Sequence, residues 1–208
     1  MVERTCTGII LAGGENKRFS GFEKSFLHIG SRKIFEHIHG IFSDLFDETL
    51  LVTNCPEKYL QYDIPMVSDL LDLRSSLTGL YTGLFHTTTP YAFFAACDTP
   101  FLKKEMIQIV LDAIEPNQDI IVPRTRMGYE PLCAAYSVRC LKPARRQLET
   151  RRLKIQGLFE SLRVNEIPEK RLRTIDPELE SFFNINTPLD LEKAEQMAGK
   201  EKKSDASQ

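Results

Sequence analysis

Two features that mark common protein classes are missing from this sequence. It has no run of eighteen apolar residues and no cysteines spaced C-x-x-C. A membrane-spanning helix needs about 20 largely apolar residues, and zinc sites often use closely paired cysteines. The five cysteines are scattered and odd in number, which argues against a disulfide framework and for a reducing compartment. Because the N-terminus MVERTCTG also lacks the apolar core of a signal peptide, we expect a soluble cytoplasmic protein.

A charge imbalance is missing as well. The chain carries 27 lysine and arginine residues against 29 aspartate and glutamate residues, a net charge of −2. Its charge therefore gives no reason to expect nucleic acid or an anionic membrane as the main partner. The four histidines lack metal-ligand spacing, and no serine–histidine–aspartate arrangement is legible. Covalent catalysis is not supported.

Length and composition are those of one globular domain. The 208 residues are 42% apolar and 27% charged, which suffices for a substantial core. No internal repeat or interdomain linker interrupts residues 1–198. The final segment GKEKKSDASQ has almost nothing to bury, so we expect residues 199–208 to form a disordered tail.

Apolar runs alternate with helical patterns along most of the chain. This alternation predicts an α/β fold, a single Rossmann-like three-layer domain with a mostly parallel central sheet. The predicted strands are residues 9–12, 48–53, 64–68, 91–97, 120–122, 131–137 and 164–167. The first predicted helices are residues 32–46, a short helix from Pro56 and a helix capped by Ser75 or Ser76. A further helix starts at Thr99-Pro100, and residues 139–160 form two helical pieces broken near Pro143 or Thr150. The last predicted helix has Thr187 as its N-cap.

The first predicted strand leads into a loop suited to phosphate. The stretch GIILAGGENKRFSGFEK passes from buried residues to Gly13-Gly14 and then to Arg18 and Lys24. Paired glycines let backbone N–H groups approach an anion, and the two cations neutralise its charge. The patterns G-x-G-x-x-G and G-x-x-x-x-G-K-[ST] are both absent, so we expect a phosphate site of a third kind.

Polar residues stand at the ends of three predicted strands. Asp98 follows the apolar strand 91–97, which we expect in the middle of the sheet. A carboxylate at that edge, opposite a phosphate loop, could hold Mg²⁺, which favours one or two carboxylates plus substrate phosphates; its alternative is a helix cap. Asn54 and Asp69 end the second and third predicted strands on the same edge and could also be ordinary turn formers.

The string LAGG-x-x-x-R-x-x-G-x-x-K resembles the signature of MobA-type molybdenum cofactor guanylyltransferases in the nucleotidyltransferase superfamily. The residues that carry it are Leu11, Ala12, Gly13, Gly14, Arg18, Gly21 and Lys24, with departures at Phe19, Ser20 and Glu23. The resemblance implies a nucleotide-diphospho-sugar transferase-like fold. It also implies that Leu11, Ala12, Gly13, Gly14 and Lys24 bind nucleotide and that Arg18, Lys24 and Asp98 are catalytic.

Further matches extend the resemblance along the chain. Cys97–Leu102 matches the CDxPFL of the family, which implies that Asp98 is the magnesium ligand. In the family an asparagine and an aspartate at the places of Asn54 and Asp69 help to hold guanine, with Asp72 as the reserve candidate. Glu130-Pro131-Leu132 matches an EPL segment. The NxNTP match implies that Asn184 and Asn186 line the site for acceptor or metal, Asn186 as a second metal contact. The family's PGPLAG is altered here, keeping only Leu77 and Gly79.

The activity implied by the resemblance is transfer of GMP from GTP to the terminal phosphate of molybdopterin, with release of pyrophosphate and with Mg²⁺ as cofactor. The implied partners are GTP, molybdopterin and, transiently, proteins that deliver or accept molybdenum cofactor. Two alternatives stay open: a related cytidylyltransferase or sugar-phosphate nucleotidyltransferase, and a non-catalytic nucleotide-binding regulator. Residues 139–154 contain a run of basic residues. We interpret it as a solvated helical face in preference to a site for an anionic acceptor or a partner protein.

Overall fold

The computed structural model describes residues 6–13 and 24–205, with the side chains of 200–205 left aside. Its centre is an eight-stranded sheet, and a separate two-stranded hairpin lies beside it. The sheet strands are β1 (Cys6–Leu11), β4 (Thr49–Val52), β5 (Met66–Val67), β6 (Tyr91–Ala96), β7 (Ile120–Thr125), β8 (Gly128–Tyr129), β9 (Cys133–Ser137) and β10 (Val164–Pro168), and the hairpin is β2 (His28–Ile29) with β3 (Arg32–Lys33).

The order across the sheet is β10-β7-β9-β6-β1-β4-β5, with β8 paired to β7. Strand β1 runs parallel to both β4 and β6, and β9 is antiparallel to its neighbours β6 and β7. The mostly parallel sheet confirms the predicted α/β class. Since β1 connects onward to one side and β6 returns on its other side, the carboxyl end of β1 is a topological switch point, where ligands bind in open α/β sheets.

Helices cover both faces of the sheet. They are α1 (Ile34–Leu45), α2 (Ser76–His86), α3 (Lys104–Leu111), α4 (Leu141–Glu149), α5 (Glu169–Leu172) and α6 (Pro188–Asp205). Helices α1 and α3 pack on one face, and α2 and α4 pack on the other. Strands β1 and β6 are buried on both faces, which explains their continuous apolar sequences. In the described part of the chain, no helix is long and apolar enough to cross a bilayer.

Two predicted helix starts are confirmed by their caps. The Ser75 hydroxyl accepts a hydrogen bond from the backbone N–H of Thr78 at 3.1 Å, which makes Ser75 the N-cap of α2. At α6, Thr187 Oγ1 accepts from the backbone N–H of Asp190 at 3.2 Å, while Asp190 Oδ2 accepts from that of Thr187 at 2.8 Å. This reciprocal pair is the capping box that fixes where the last helix begins.

Several predicted boundaries differ from the structure. Helix α1 starts at Ile34 because Arg32 and Lys33 pair in the β2–β3 hairpin. Helix α3 starts at Lys104, not at Thr99-Pro100, because Thr99 caps a turn in which its hydroxyl donates to the carbonyl of Ala96. The 139–160 segment breaks at Thr150, where Arg151 takes a positive φ of 56°.

At the C-terminus, α6 is helical through Asp205 and so extends beyond Gly199, where the sequence predicts the start of a disordered tail.

Candidate active site

A cleft of about 620 Å³ opens at the carboxyl edge of the sheet, next to the end of β1. This volume falls in the range of small-molecule sites. Its floor is Leu11, Ala12 and Gly13, and its walls come from the residues after β4, β5 and β6 and from the start of α2. The cleft therefore occupies the switch point, and it includes Asn54, Asp69 and Asp98.

Close approach of α2 to β1 shapes the floor. A Cβ atom at Gly79 would lie 3.3 Å from Leu11 Cδ2, so the glycine lets the first turns of α2 come down onto the strand end. Gly13 has open space around it, where a side chain would meet nothing within 4 Å among the described atoms. Gly79 thus allows α2 to pack closely against β1, and Gly13 leaves the end of β1 accessible.

Asp98 lies two residues beyond β6 and contributes an unpaired acceptor to the cleft. Its Oδ1 atom is buried and has no hydrogen-bond partner among the residues that the structure describes. Its backbone carbonyl accepts from the N–H of Ile185 at 2.9 Å, which fixes the loop. Burial raises the pKa of Asp98 above its ordinary value, and the charge of Lys24 opposes that rise. A buried carboxylate oxygen of this kind needs a cation or donor to complete it.

Lys24 lines the cleft and bonds Asn186, which is exposed and is not among the described residues that line it. Lys24 Nζ donates to Asn186 Oδ1 at 3.2 Å, across 162 positions in the chain. The segment that carries Lys24 is anchored by its neighbour Ser25, whose hydroxyl bonds the hydroxyl of buried Tyr59 at 2.8 Å. Since Asn186 follows Ile185, which is bound to Asp98, three predicted site residues come together here.

Asn54 and Asp69 form a reciprocal pair on the other side. Asn54 Nδ2 donates to Asp69 Oδ2 at 2.8 Å, and the backbone N–H of Asp69 donates to Asn54 Oδ1 at 3.0 Å. The remaining atom, Asp69 Oδ1, is buried with no partner in the described part of the chain. Burial raises the pKa of Asp69, and hydrogen bonds from Asn54 and Thr82 counteract the rise. One acceptor oxygen of the pair is thus left without a partner among the described residues.

Other predicted residues lie elsewhere. Gly14 and Arg18 fall outside the described residues. Asn184 is exposed, its side chain donates to the carbonyl of Phe182 at 3.2 Å, and it is not among the described residues that line the cleft. Asp72, the reserve for Asp69, is exposed.

The chain matches a known protein family. A family model described as MobA-like NTP transferase domain matches residues 8–165. The chain belongs to this family. It is 46% identical over 189 residues to a molybdenum cofactor guanylyltransferase of Desulfosudis oleivorans, covering 91% of this chain and 94% of the relative.

Two further proteins match this MobA-like NTP transferase over most of its length. A probable molybdenum cofactor guanylyltransferase of Natranaerobius thermophilus is 39% identical over 93% of this chain and 97% of the relative. The crystal structure of molybdopterin-guanine dinucleotide biosynthesis protein A from Archaeoglobus fulgidus superposes with a TM-score of 0.83 and 29% identity, covering 93% of this chain and 99% of that one. The chain is therefore a nucleotidyltransferase, as its sequence predicts.

The cleft of this MobA-like transferase is also lined by residues that the sequence analysis did not select. Lys58, Arg74 and Ser76 line it, together with Leu132 from the EPL segment. Arg74 directly precedes the Ser75 cap, so a predicted helix start at a strand's carboxyl edge was the signal that could have found it.

One residue of the basic run has a structural role. Asp119 lies just before β7, and its carboxylate forms ion pairs with Arg139 Nε at 2.5 Å and Arg163 Nε at 3.1 Å. Burial by itself would raise the pKa of Asp119, yet these two guanidinium groups hold this pKa well below its usual range. Arg139 thus joins strands at the amino edge of the sheet, whereas Arg145 pairs with Glu149 on an exposed helical face.

Proposed function

We propose that this protein transfers GMP from GTP to the terminal phosphate of molybdopterin and releases pyrophosphate. An oxygen of the acceptor phosphate attacks the α-phosphorus of GTP, the bond from that phosphorus to the bridging β-phosphate oxygen breaks, and pyrophosphate leaves. Membership of the MobA-like NTP transferase family and the printed names of relatives that align over nine-tenths of the chain support this reaction. The structural observation that carries it is the pairing of an Asn54–Asp69 acceptor with a Lys24–Asp98 centre in one cleft.

The Asn54–Asp69 side would hold the base. Guanine carries two donors on one edge, the N1–H and the 2-amino group, and a carboxylate is the acceptor that suits both. Asp69 Oδ1 is buried and unpartnered within the described residues, and Asn54 fixes its orientation. Leu11 and Ala12 would support the base from the floor of the cleft.

The other side would hold the triphosphate. Lys24 lines it, Gly13 leaves its strand end open, and the proposed roles of Gly14 and Arg18 come from the sequence alone. An acceptor phosphate is already ionised at neutral pH, so no strong general base is needed. What the reaction needs is relief of repulsion between two anions in a fixed geometry, which positioned cations supply.

The residues present fit Mg²⁺, the proposed metal cofactor. Mg²⁺ takes oxygen ligands, commonly one or two from protein and the rest from water and substrate phosphates. Asp98 Oδ1 is such an oxygen, buried without a partner in the described region, and Asn186 Oδ1 would be the second contact. When bound, the metal would neutralise phosphate charge.

The remaining expectations complete the proposal. The substrates would reach the cleft as small molecules in the cytoplasm, with transient contact to proteins that deliver or accept the molybdenum cofactor. Residues 1–198 would act as one catalytic domain. We expect neither nucleic acid nor a membrane to take part.

The test is a pyrophosphate-release assay with molybdopterin as acceptor, Mg²⁺, and GTP, ATP, CTP or UTP as donor. We expect turnover with GTP, and formation of the guanine dinucleotide by mass spectrometry. Preference for CTP or UTP would identify the related transferases, and binding of nucleotide without pyrophosphate release would identify a regulator; either result overturns the proposal.

Variants sharpen this test. Lys24→Ala and Asp98→Asn should each lower kcat by about 10²–10³-fold, the usual loss for one electrostatic group at a reacting centre. Lys142→Ala and Asp63→Asn remove the same charges from exposed positions outside the cleft and serve as matched controls. Normal turnover by folded Lys24→Ala or Asp98→Asn protein would refute the roles assigned here.

A further inference from the structure

Arg74 lies in the same cleft and the same loop as Asp69. The loop joins β5 to α2, and both residues line the cleft while Arg74 remains exposed. Two hydrogen bonds fix the loop to the helix: the backbone N–H of Leu70 donates to Thr82 Oγ1 at 3.0 Å, and Ser75 caps the first turn. The guanidinium is therefore carried by a segment with anchored ends.

This loop carries Asp69, Asp72 and Arg74, and neither carboxylate forms an ion pair with the guanidinium among the described residues. Asp69 is paired with Asn54 instead. Arg74 makes no ion pair or side-chain hydrogen bond with any residue in the described ranges 6–13 and 24–199. One cleft is thus lined by Asp69, which has a buried acceptor oxygen without a partner in the described part of the chain, and by the exposed donor fork of Arg74.

We propose that Arg74 is a specificity-determining residue that donates to O6 and N7 of the guanine base while Asp69 accepts from its N1–H and 2-amino group. This inference rests on the proposed function, since it names how the same site selects its nucleotide. Arginine is suited to this role because its planar fork matches the two adjacent acceptors of guanine. The loop would then read both edges of the base.

The same arrangement rejects other bases. Adenine has an amino donor where guanine has O6, so its amino group would face the Arg74 guanidinium, donor against donor. Cytosine and uracil have no imidazole ring and no N7. Selection therefore combines an attractive match with a repulsive mismatch.

The position of Arg74 separates this role from phosphate binding. Arg74 adjoins Ser75 and Ser76 at the start of α2, and it lies in the same β5–α2 loop as Asp69. Lys24, Asp98 and Asn186 are grouped by their own contacts at the ends of β1 and β6. A phosphate role for Arg74 would make its loss equally harmful for every nucleotide, and this gives a clear experimental distinction.

The experiment measures binding by isothermal titration with Mg²⁺ and three nucleotides: GTP, 7-deaza-GTP, which lacks N7, and ITP, which lacks the 2-amino group. In the unmodified protein we expect each analogue to bind about tenfold more weakly than GTP, as for the loss of part of a bidentate contact. In Arg74→Met the penalty for 7-deaza-GTP should shrink to within about twofold while the ITP penalty stays. Arg74→Lys, which keeps the charge without the fork, should behave like Arg74→Met.

Arg146→Met, an exposed arginine on α4, is the matched control and should leave all three affinities unchanged. Equal affinity of the unmodified protein for GTP and 7-deaza-GTP would overturn the inference. So would an Arg74→Met protein that loses the same factor for all three nucleotides. In both cases pyrophosphate release with GTP would continue, whereas failure of the proposed function would appear as absence of that release.

Discussion

Lys24 Nζ and Asn186 Oδ1 lie 3.2 Å apart, although 162 positions separate them in the chain. The contact holds the lysine beside Asp98, whose loop is fixed through Ile185. An amide oxygen that accepts from an ammonium group positions it without neutralising it. We therefore propose that Asn186 positions Lys24, in addition to the metal contact proposed for it.

Replacing Asn186 tests that positioning role. Asn186→Ala should lower kcat about tenfold or more, because loss of a hydrogen bond to a charged group costs about 1.5–3 kcal/mol. The measurement is kcat and KM for GTP at several Mg²⁺ concentrations, with thermal unfolding to check the fold. Exposed Asn117→Ala is the control. Unchanged kcat in a folded Asn186→Ala protein would contradict the role.

Asn54 should matter through Asp69. Asn54→Ala removes a partner that lowers the pKa of Asp69 and leaves only Thr82 to oppose burial, so the pKa should rise further. We expect about tenfold weaker binding of GTP, with a larger loss at low pH, where the carboxyl is protonated and loses acceptor capacity. Titration of GTP at several pH values checks this. Equal losses across pH would place the effect on packing alone.

Glu130 predicts a pH dependence of stability. Burial raises the pKa of its carboxyl to about 7, while Thr125 opposes the shift. Between the ordinary value of 4.5 and about 7 the folded state binds more protons than the unfolded state, so stability falls as pH rises through this window. Glu130→Gln lacks this loss and should be more stable than the unmodified protein above pH 7, by about 1–2 kcal/mol once solvent screening is allowed for.

Urea unfolding of both proteins at pH 4.5, 6 and 7.5 measures the Glu130 effect. The stability difference should be small at the lowest pH and grow toward the highest. Exposed Glu195→Gln should show no such trend. A difference that is constant with pH would rule out the titration of Glu130 as its cause.

The Asp119 cluster should affect stability and leave catalysis unchanged. Asp119→Ala leaves Arg139 and Arg163 without their shared carboxylate at the amino edge of the sheet, and we expect a loss of about 2–3 kcal/mol. Because the pKa of Asp119 is depressed, its contribution is full above the ordinary value of 3.8 and declines as pH falls below it. Urea unfolding measures the loss, and kcat at a temperature where the variant is folded should match that of the unmodified protein.

Local patterns predicted much of this structure. The continuous apolar residues of β1 and β6 indicated a mid-sheet position, and Ser75 and Thr187 marked two helix starts, because these signals depend on neighbouring residues. The predicted start of α3 was wrong because the pair Thr99-Pro100 is compatible with both a helix start and a turn. In the structure it forms a turn, next to the tertiary contact of Asp98 with Ile185.

The site required information of longer range. Asp69 and Asp98 could be selected as strand ends, yet their unpartnered oxygens depend on packing that no local pattern reports. Arg74 had no motif to mark it, and its place in the cleft follows from the position of α2 against β1. Charge alone did not separate Arg139, which bonds Asp119, from Arg145 on the surface.

The tie between Asp98 and Ile185 also bears on how the protein is made. A growing polypeptide can bring every sheet strand out of the ribosome by Pro168, and the family match itself ends at residue 165. Asn186 leaves the ribosome later, so a nascent chain with all its strands outside and residue 186 still in the exit tunnel would have an assembled sheet and an unfinished reaction centre. Catalytic competence should therefore arise only with the last stretch of translation.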